Sequence, residues 1–68
     1  MKRYCIRSST MAIISSGGQR TVVPVPVDAI VTIADDLREG DRLVDVRWND
    51  REYLMFTQDL RERGEPLD

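Results

Sequence analysis

The residue types that most enzymes use for acid–base and metal chemistry are scarce in this chain. It contains no histidine and a single cysteine, Cys5, which lies among the cations Lys2, Arg3 and Arg7. A nucleophilic cysteine needs a base or a cationic partner that is positioned to activate it, and no histidine can take that role here. We therefore expect no catalytic residue set within one chain and no cofactor.

Carboxylates are abundant, and several of them fall in the segment 35–41. A calcium-binding loop needs acidic residues at alternate positions, a glycine at the sixth position and a glutamate at the twelfth. This segment does not follow that order, although it includes Gly40. We interpret it as a solvated polar loop and expect no bound metal.

A binding surface is the remaining kind of site, and its candidates surround the dipeptide Asn49-Asp50. Trp, Tyr and Arg are enriched at interaction hot spots because they offer large, rigid contact area together with polar groups. The candidate binding residues are Trp48, Tyr53, Arg47 and Arg51. The competing interpretation is that the two aromatic rings pack in the core, because apolar residues share their face of the predicted strands.

Charges are distributed unevenly along the chain, although the net charge is only −2. Residues 1–27 hold four cations and no acid, whereas residues 28–68 hold six cations and all twelve acids. The four N-terminal cations are Lys2, Arg3, Arg7 and Arg20. Such a distribution favours self-association between basic and acidic parts, or an N-terminal arm that lies on the acidic part of its own chain. The alternative is an arm that contacts nucleic acid.

The cysteine content and the apolar runs indicate the compartment. A small secreted domain ordinarily carries several disulfides, and one cysteine cannot form one within the chain. The apolar run Met11–Ile14 is too short for a signal peptide, and no segment approaches the roughly 18 apolar residues of a membrane span. We expect a cytoplasmic protein without a membrane partner.

Short runs rich in Val and Ile, separated by turn residues, indicate an all-β domain. Residues 10–15 and 20–23 are predicted to pair as a hairpin around Gly17-Gly18, because glycine adopts the positive φ values of tight hairpin turns. Pro24 and Pro26 lack an N–H to donate to a neighbouring strand. They predict a sheet edge or a corner for the segment 23–27.

A second hairpin is predicted for residues 42–56, with Asn49-Asp50 as its two-residue turn. The predicted cross-strand pairs are Trp48 with Arg51, Arg47 with Glu52, Val46 with Tyr53, Asp45 with Leu54, and Val44 with Met55. One face of this hairpin is almost wholly apolar, and the other also carries Leu43, Leu54 and Phe56. Apolar residues on both faces are typical of a small barrel or of a sheet that meets another subunit.

After Phe56 the pattern predicts a short 3₁₀ or α-helical turn that Thr57 caps and that Gly64 and Pro66 end. This order of hairpin, corner, strand, hairpin and helical turn resembles the SH3-like barrel, over residues 10–67. The resemblance implies a five-stranded all-β barrel with one short helical turn near the C-terminus. Residues 1–9 are interpreted as a basic N-terminal arm or edge strand, and residues 10–68 as the single barrel domain.

The fold implied by this resemblance serves many unrelated functions, so it does not assign one. Our leading hypothesis is a small non-enzymatic interaction module that forms homo-oligomers and binds a protein or peptide. The first alternative is a nucleic-acid-associated barrel that uses the four N-terminal cations. The second alternative is an enzyme whose site forms only at an interface between subunits.

Overall fold

Strands dominate the computed structural model, which describes residues 1–67. The described elements are β1 (Lys2–Ile6), β2 (Thr10–Ser16), β3 (Gln19–Val25), β4 (Ile30–Ile33), β5 (Leu43–Trp48), β6 (Arg51–Phe56), α1 (Thr57–Arg63) and β7 (Gly64–Pro66). The strands join one antiparallel sheet in the order β3-β2-β6-β5-β4-β1-β7. The predicted all-β class with one short helix is confirmed.

The predicted five-stranded barrel is not confirmed, because the sheet in residues 1–67 has seven strands and is not closed. Strands β3 and β7 lie at its two ends. Strand β7 was missed because glycine and proline have low strand propensity. Its residues pair with β1 all the same, Tyr4 opposite Pro66 and Ile6 opposite Gly64, so tertiary pairing overrides local preference.

The first hairpin forms as predicted and extends further along both strands. Gly17 and Gly18 have φ values of 59° and 81°, which suit a tight two-residue turn between Ser16 and Gln19. In such a hairpin the residue pair that flanks the turn is hydrogen-bonded. The following pairs are then alternately non-hydrogen-bonded and hydrogen-bonded. Pro24, opposite Met11, falls on a non-hydrogen-bonded pair and so removes no bond to β2. Since β3 is an end strand, the predicted edge position of Pro24 is confirmed.

The second hairpin has the predicted register at every predicted pair, from Trp48 with Arg51 to Val44 with Met55. Asn49 and Asp50 form its turn with φ values of 52° and 61°. Asparagine and aspartate tolerate this left-handed region better than most residues, which explains their use here. The hairpin is joined to β4 through the pair of Thr32 with Arg47.

One face of the sheet forms the core, and alternate residues of each strand supply it, as the two-residue period of a strand requires. The clustered buried residues are Ile6, Ala12, Val25, Val31, Ile33, Val46, Tyr53, Met55 and Leu60. Leu60 comes from α1, which packs closest to β6, β7 and β1. We call this side of the sheet the inner face and the opposite side the outer face.

Helix α1 follows β6 without a loop. Its N-cap is Phe56, and no side chain among residues 1–67 caps it, so the prediction that Thr57 caps the helix is wrong. The buried Thr57 hydroxyl instead donates to the carbonyl of Asp41 at 2.5 Å. The helix ends at Arg63 as predicted. A Cβ on Gly64 would lie 2.7 Å from the Leu60 carbonyl oxygen, too close for any other residue without a shift.

The residues before Thr10 include strand β1, which lies between β4 and β7. Beyond β1, the Arg7 N–H donates to the carbonyl of Arg63 at 2.7 Å, which ties this segment to the end of α1. Within residues 1–67, no helix is both long enough and apolar enough to span a bilayer.

Candidate protein-interaction surface

The two hairpins meet where Ile13 of β2 pairs with Leu54 of β6. The same Ile13 lies opposite Val22 of β3, and Leu54 lies opposite Asp45 of β5. These pairs place four side chains in one row across the outer face. Because β2 and β6 are antiparallel, a step of two residues along each strand brings Met11 beside Phe56.

That step produces a second row across the same four strands. Met11 lies opposite Pro24, and Phe56 lies opposite Leu43. Across the two rows every position but Asp45 is apolar. We name these residues the outer patch: Met11, Ile13, Val22, Pro24, Leu43, Leu54 and Phe56.

Solvent exposure distinguishes the outer patch from the core. Val22 is 58% exposed, Met11 55% and Phe56 46%, whereas the inner-face residues Val25 and Met55 are fully buried. Scattered apolar residues on a surface are ordinary, but a contiguous apolar area usually marks an interaction site. The patch is therefore a candidate binding surface, and its apolar side chains contain no reactive group.

The two ends of the outer patch differ in charge. At the end near the hairpin turns lie Ser15 opposite Arg20 and Arg47 opposite Glu52. Arg47 and Glu52 form a loose, exposed ion pair, with 3.8 Å between Nη1 and Oε1. At the other end, Asp41 and Phe56 line a groove of about 750 Å³, which α1 also borders.

The four candidate binding residues lie on both faces of the second hairpin. Tyr53 belongs to the core, and Trp48 is half-buried beside it, with ring centroids 5.5 Å apart and ring planes tilted by 48°. Arg51 is exposed opposite Trp48. Arg47 lies on the outer face and borders the outer patch. The structure thus brings Arg47, but not Tyr53, to the exposed apolar surface.

The four candidate cations for nucleic acid lie on or beside β1 and β3, strands that are separated by four others in the sheet. Lys2 Nζ lies 3.1 Å from an oxygen of Asp36. Arg7 donates from Nε to Glu65 at 2.6 Å, and this hydrogen bond and the carboxylate charge raise the pKa of Arg7. Arg3 is exposed on β1, and Arg20 is exposed beside the glycine turn. Arg20 is thus distant from the other three in strand order, and two of those, Lys2 and Arg7, contact carboxylates.

Cys5 and the acidic loop are the other features that the sequence singled out. Cys5 is a free thiol that is 7% exposed on β1. A groove of about 180 Å³ borders the loop, lined by Asp35, Asp36 and Asp41 with Arg38 beside them. Within residues 1–67, no group of three or more His, Cys, Asp or Glu side chains could hold a metal ion.

Sequence reasoning found the outer-face residues of the second hairpin but missed those of the first. The available signal was the alternation of side chains along a strand. In β2, Met11 and Ile13 alternate with the buried Thr10 and Ala12, whereas neither neighbour of Val22 in β3 is buried. The pairing of the two hairpins, which makes the outer patch continuous, has no local signal in the sequence. No family model, curated protein or solved structure matches this chain.

Proposed function

We propose that the protein is a small non-enzymatic interaction module that self-associates through the outer patch. The observation that carries this proposal is the run of apolar side chains across four adjacent strands, three of them about half exposed. A second sheet is a suitable occupant, because two sheets pack face to face through apolar residues of this kind. A second copy of the chain supplies such a sheet, and it is the occupant that we propose.

The outer patch would form the apolar centre of an interface. Its four strands, at a spacing of about 4.8 Å, span roughly 14 Å between the axes of the outermost strands. A standard interface buries about 800 Å² on each partner, which is about one sixth of the 4828 Å² surface of this chain. Complete burial of a large apolar side chain contributes about 1.5–3 kcal/mol, and the cost of association offsets part of this. We expect dissociation in the micromolar range.

The small size of the chain also favours association. A chain of about 60 residues buries only about 60% of the surface that its unfolded form exposes, and this chain has 68 residues. Burial of the outer patch against a second copy would add to its stability. The free Cys5 supports a reducing compartment, so we include a cytoplasmic location in the proposal.

An SH3-like arrangement of β2 to β6 is part of the same proposal. Its support is the two tight hairpins, with β4 between them in sequence and α1 after the second. Folds of this class serve many unrelated functions, so the proposed function rests on the patch and not on the fold. Arg47 belongs to the polar rim of the proposed interface, and arginine is enriched at interfaces relative to the rest of the protein surface.

Light scattering coupled to size exclusion, over a range of protein concentrations, tests the proposal. We expect the wild-type chain to show a mass above that of the 7.8 kDa monomer and to dissociate on dilution. The double variant Met11→Glu, Phe56→Glu should be monomeric with an unchanged circular dichroism spectrum. The matched control Ser8→Glu, Gln19→Glu adds the same charge at exposed positions outside the patch and should associate normally. A wild-type chain that is monomeric at all concentrations would overturn the proposal.

A further inference from the structure

We infer that two copies pack outer patch to outer patch with their strands running in opposite directions, so that Arg47 of each copy lies beside Asp41 of the other. This inference rests on the proposed function, since it names how the partner copy binds. It follows from the charges at the two ends of the patch and from the symmetry of a dimer. In a two-fold dimer the same surface is used by both copies, so each contact occurs twice.

The end of the patch near the hairpin turns is the more basic one. Arg20 and Arg47 lie in the row just beyond Val22 and Asp45, together with Glu52. The opposite end is more acidic. Its groove is lined by three carboxylates, Asp41, Asp59 and Glu62, and by two arginines, Arg42 and Arg61.

A face-to-face dimer has two simple orientations, which differ in the direction of the two-fold axis. An axis parallel to the strands places β3 of one copy over β5 of the other. Arg20 would then face Arg47, and Val22 would face Asp45. The like charges of Arg20 and Arg47 disfavour this orientation.

An axis perpendicular to the strands places each strand over the same strand of the other copy, in the opposite direction. Ile13 then faces Met11, and Leu54 faces Phe56. Asp45 faces Leu43, so one carboxylate meets an apolar side chain in this orientation as it does in the other. Arg47 comes over the end that holds Asp41, and the opposite charges attract. The rotation of about 30° that packed sheets adopt does not change which ends meet.

The groove beside Phe56 supports the second orientation. It lies at the acidic end, where the hairpin turns of the partner copy would lie. Asp41 contacts α1 through its backbone carbonyl, which accepts a hydrogen bond from the Thr57 hydroxyl. Its side chain can therefore be exchanged without loss of that bond.

Charge exchange between Arg47 and Asp41 tests the inference. We expect Arg47→Asp and Asp41→Arg each to weaken self-association about tenfold, because each places like charges together at two symmetric contacts. The double variant should restore association. An equimolar mixture of the two single variants should form mixed dimers in preference to either homodimer, and native mass spectrometry resolves these species by mass. Circular dichroism establishes that each variant is folded.

The control is Arg20→Asp, which changes the same charge at the same end of the patch. In the inferred orientation it should leave the dissociation constant nearly unchanged. If it tightens association, and the single-variant mixture shows no preference for mixed dimers, the parallel-axis orientation is present and the inference is overturned. Either result leaves the proposed function intact, whereas a monomeric wild-type chain removes both.

Discussion

Ile13 pairs with Leu54, and through this pair the first hairpin joins the second. The two residues are half-buried on the outer face, between the more exposed Val22 and the charged Asp45. Without this junction the apolar outer residues of the two hairpins would form two separate, narrow strips. With it they form one surface four strands wide, on which the proposed self-association depends.

Asp45 is the one charged residue within the two rows of the outer face, and its removal should tighten self-association. The variant Asp45→Asn keeps the size of the side chain and removes the cost of bringing a carboxylate into an apolar interface. We expect the dissociation constant, measured by sedimentation velocity, to fall several-fold. The control Asp35→Asn makes the same change of net charge in the acidic loop. Equal effects of both variants would indicate that net charge, and not the patch, controls association.

Pro24 should protect the open edge of the sheet. Arg20, Val22 and Pro24 of β3 form non-hydrogen-bonded pairs with β2. The backbone N–H and C=O groups at these positions therefore point away from β2, towards the open edge. Proline presents no N–H at that edge, and this limits pairing with another strand. Pro24→Val should therefore raise turbidity and thioflavin binding on prolonged incubation. Pro26 lies beyond the end of β3, so the control variant Pro26→Val should not raise turbidity or thioflavin binding. Equal aggregation of both variants would contradict this role.

The parts of the fold that could be predicted from the sequence depend on local interactions. The register between Val44 and Met55 follows from a two-residue turn and strand alternation, and both act within a few residues. The pair of Ile13 with Leu54 joins segments that are distant in the chain, so no short-range pattern specifies it. The outer patch was for this reason predicted only in part. Arg47 lies on its rim, whereas the ring of Tyr53 is in the core.

Asp50 occupies a turn position where glycine should be more stable. Its φ of 61° lies in the left-handed region, which is costly for residues with a Cβ. In a two-residue hairpin turn of this type Asn-Gly is the preferred pair, and Asn49 already supplies its first member. We expect Asp50→Gly to raise the free energy of unfolding by about 0.5–1 kcal/mol, measured by urea denaturation. Asp50→Ala removes the same charge but keeps the Cβ, so it should not stabilise the protein. A similar gain in both variants would assign the effect to charge.

Leu60 should hold α1 on the sheet. The helix has seven residues, and helices this short are not stable in water without tertiary contacts. The Leu60 side chain is completely buried, in the core that contains Ile6 and Met55. Leu60→Ala should therefore lower the free energy of unfolding by about 2–5 kcal/mol, a large share of the stability of a small domain. Arg61→Ala removes an exposed side chain from the same helix and should change the free energy of unfolding by less than about 0.5 kcal/mol. If urea denaturation gives similar midpoints for the two variants, α1 contributes little to the core and the packing described for Leu60 is wrong.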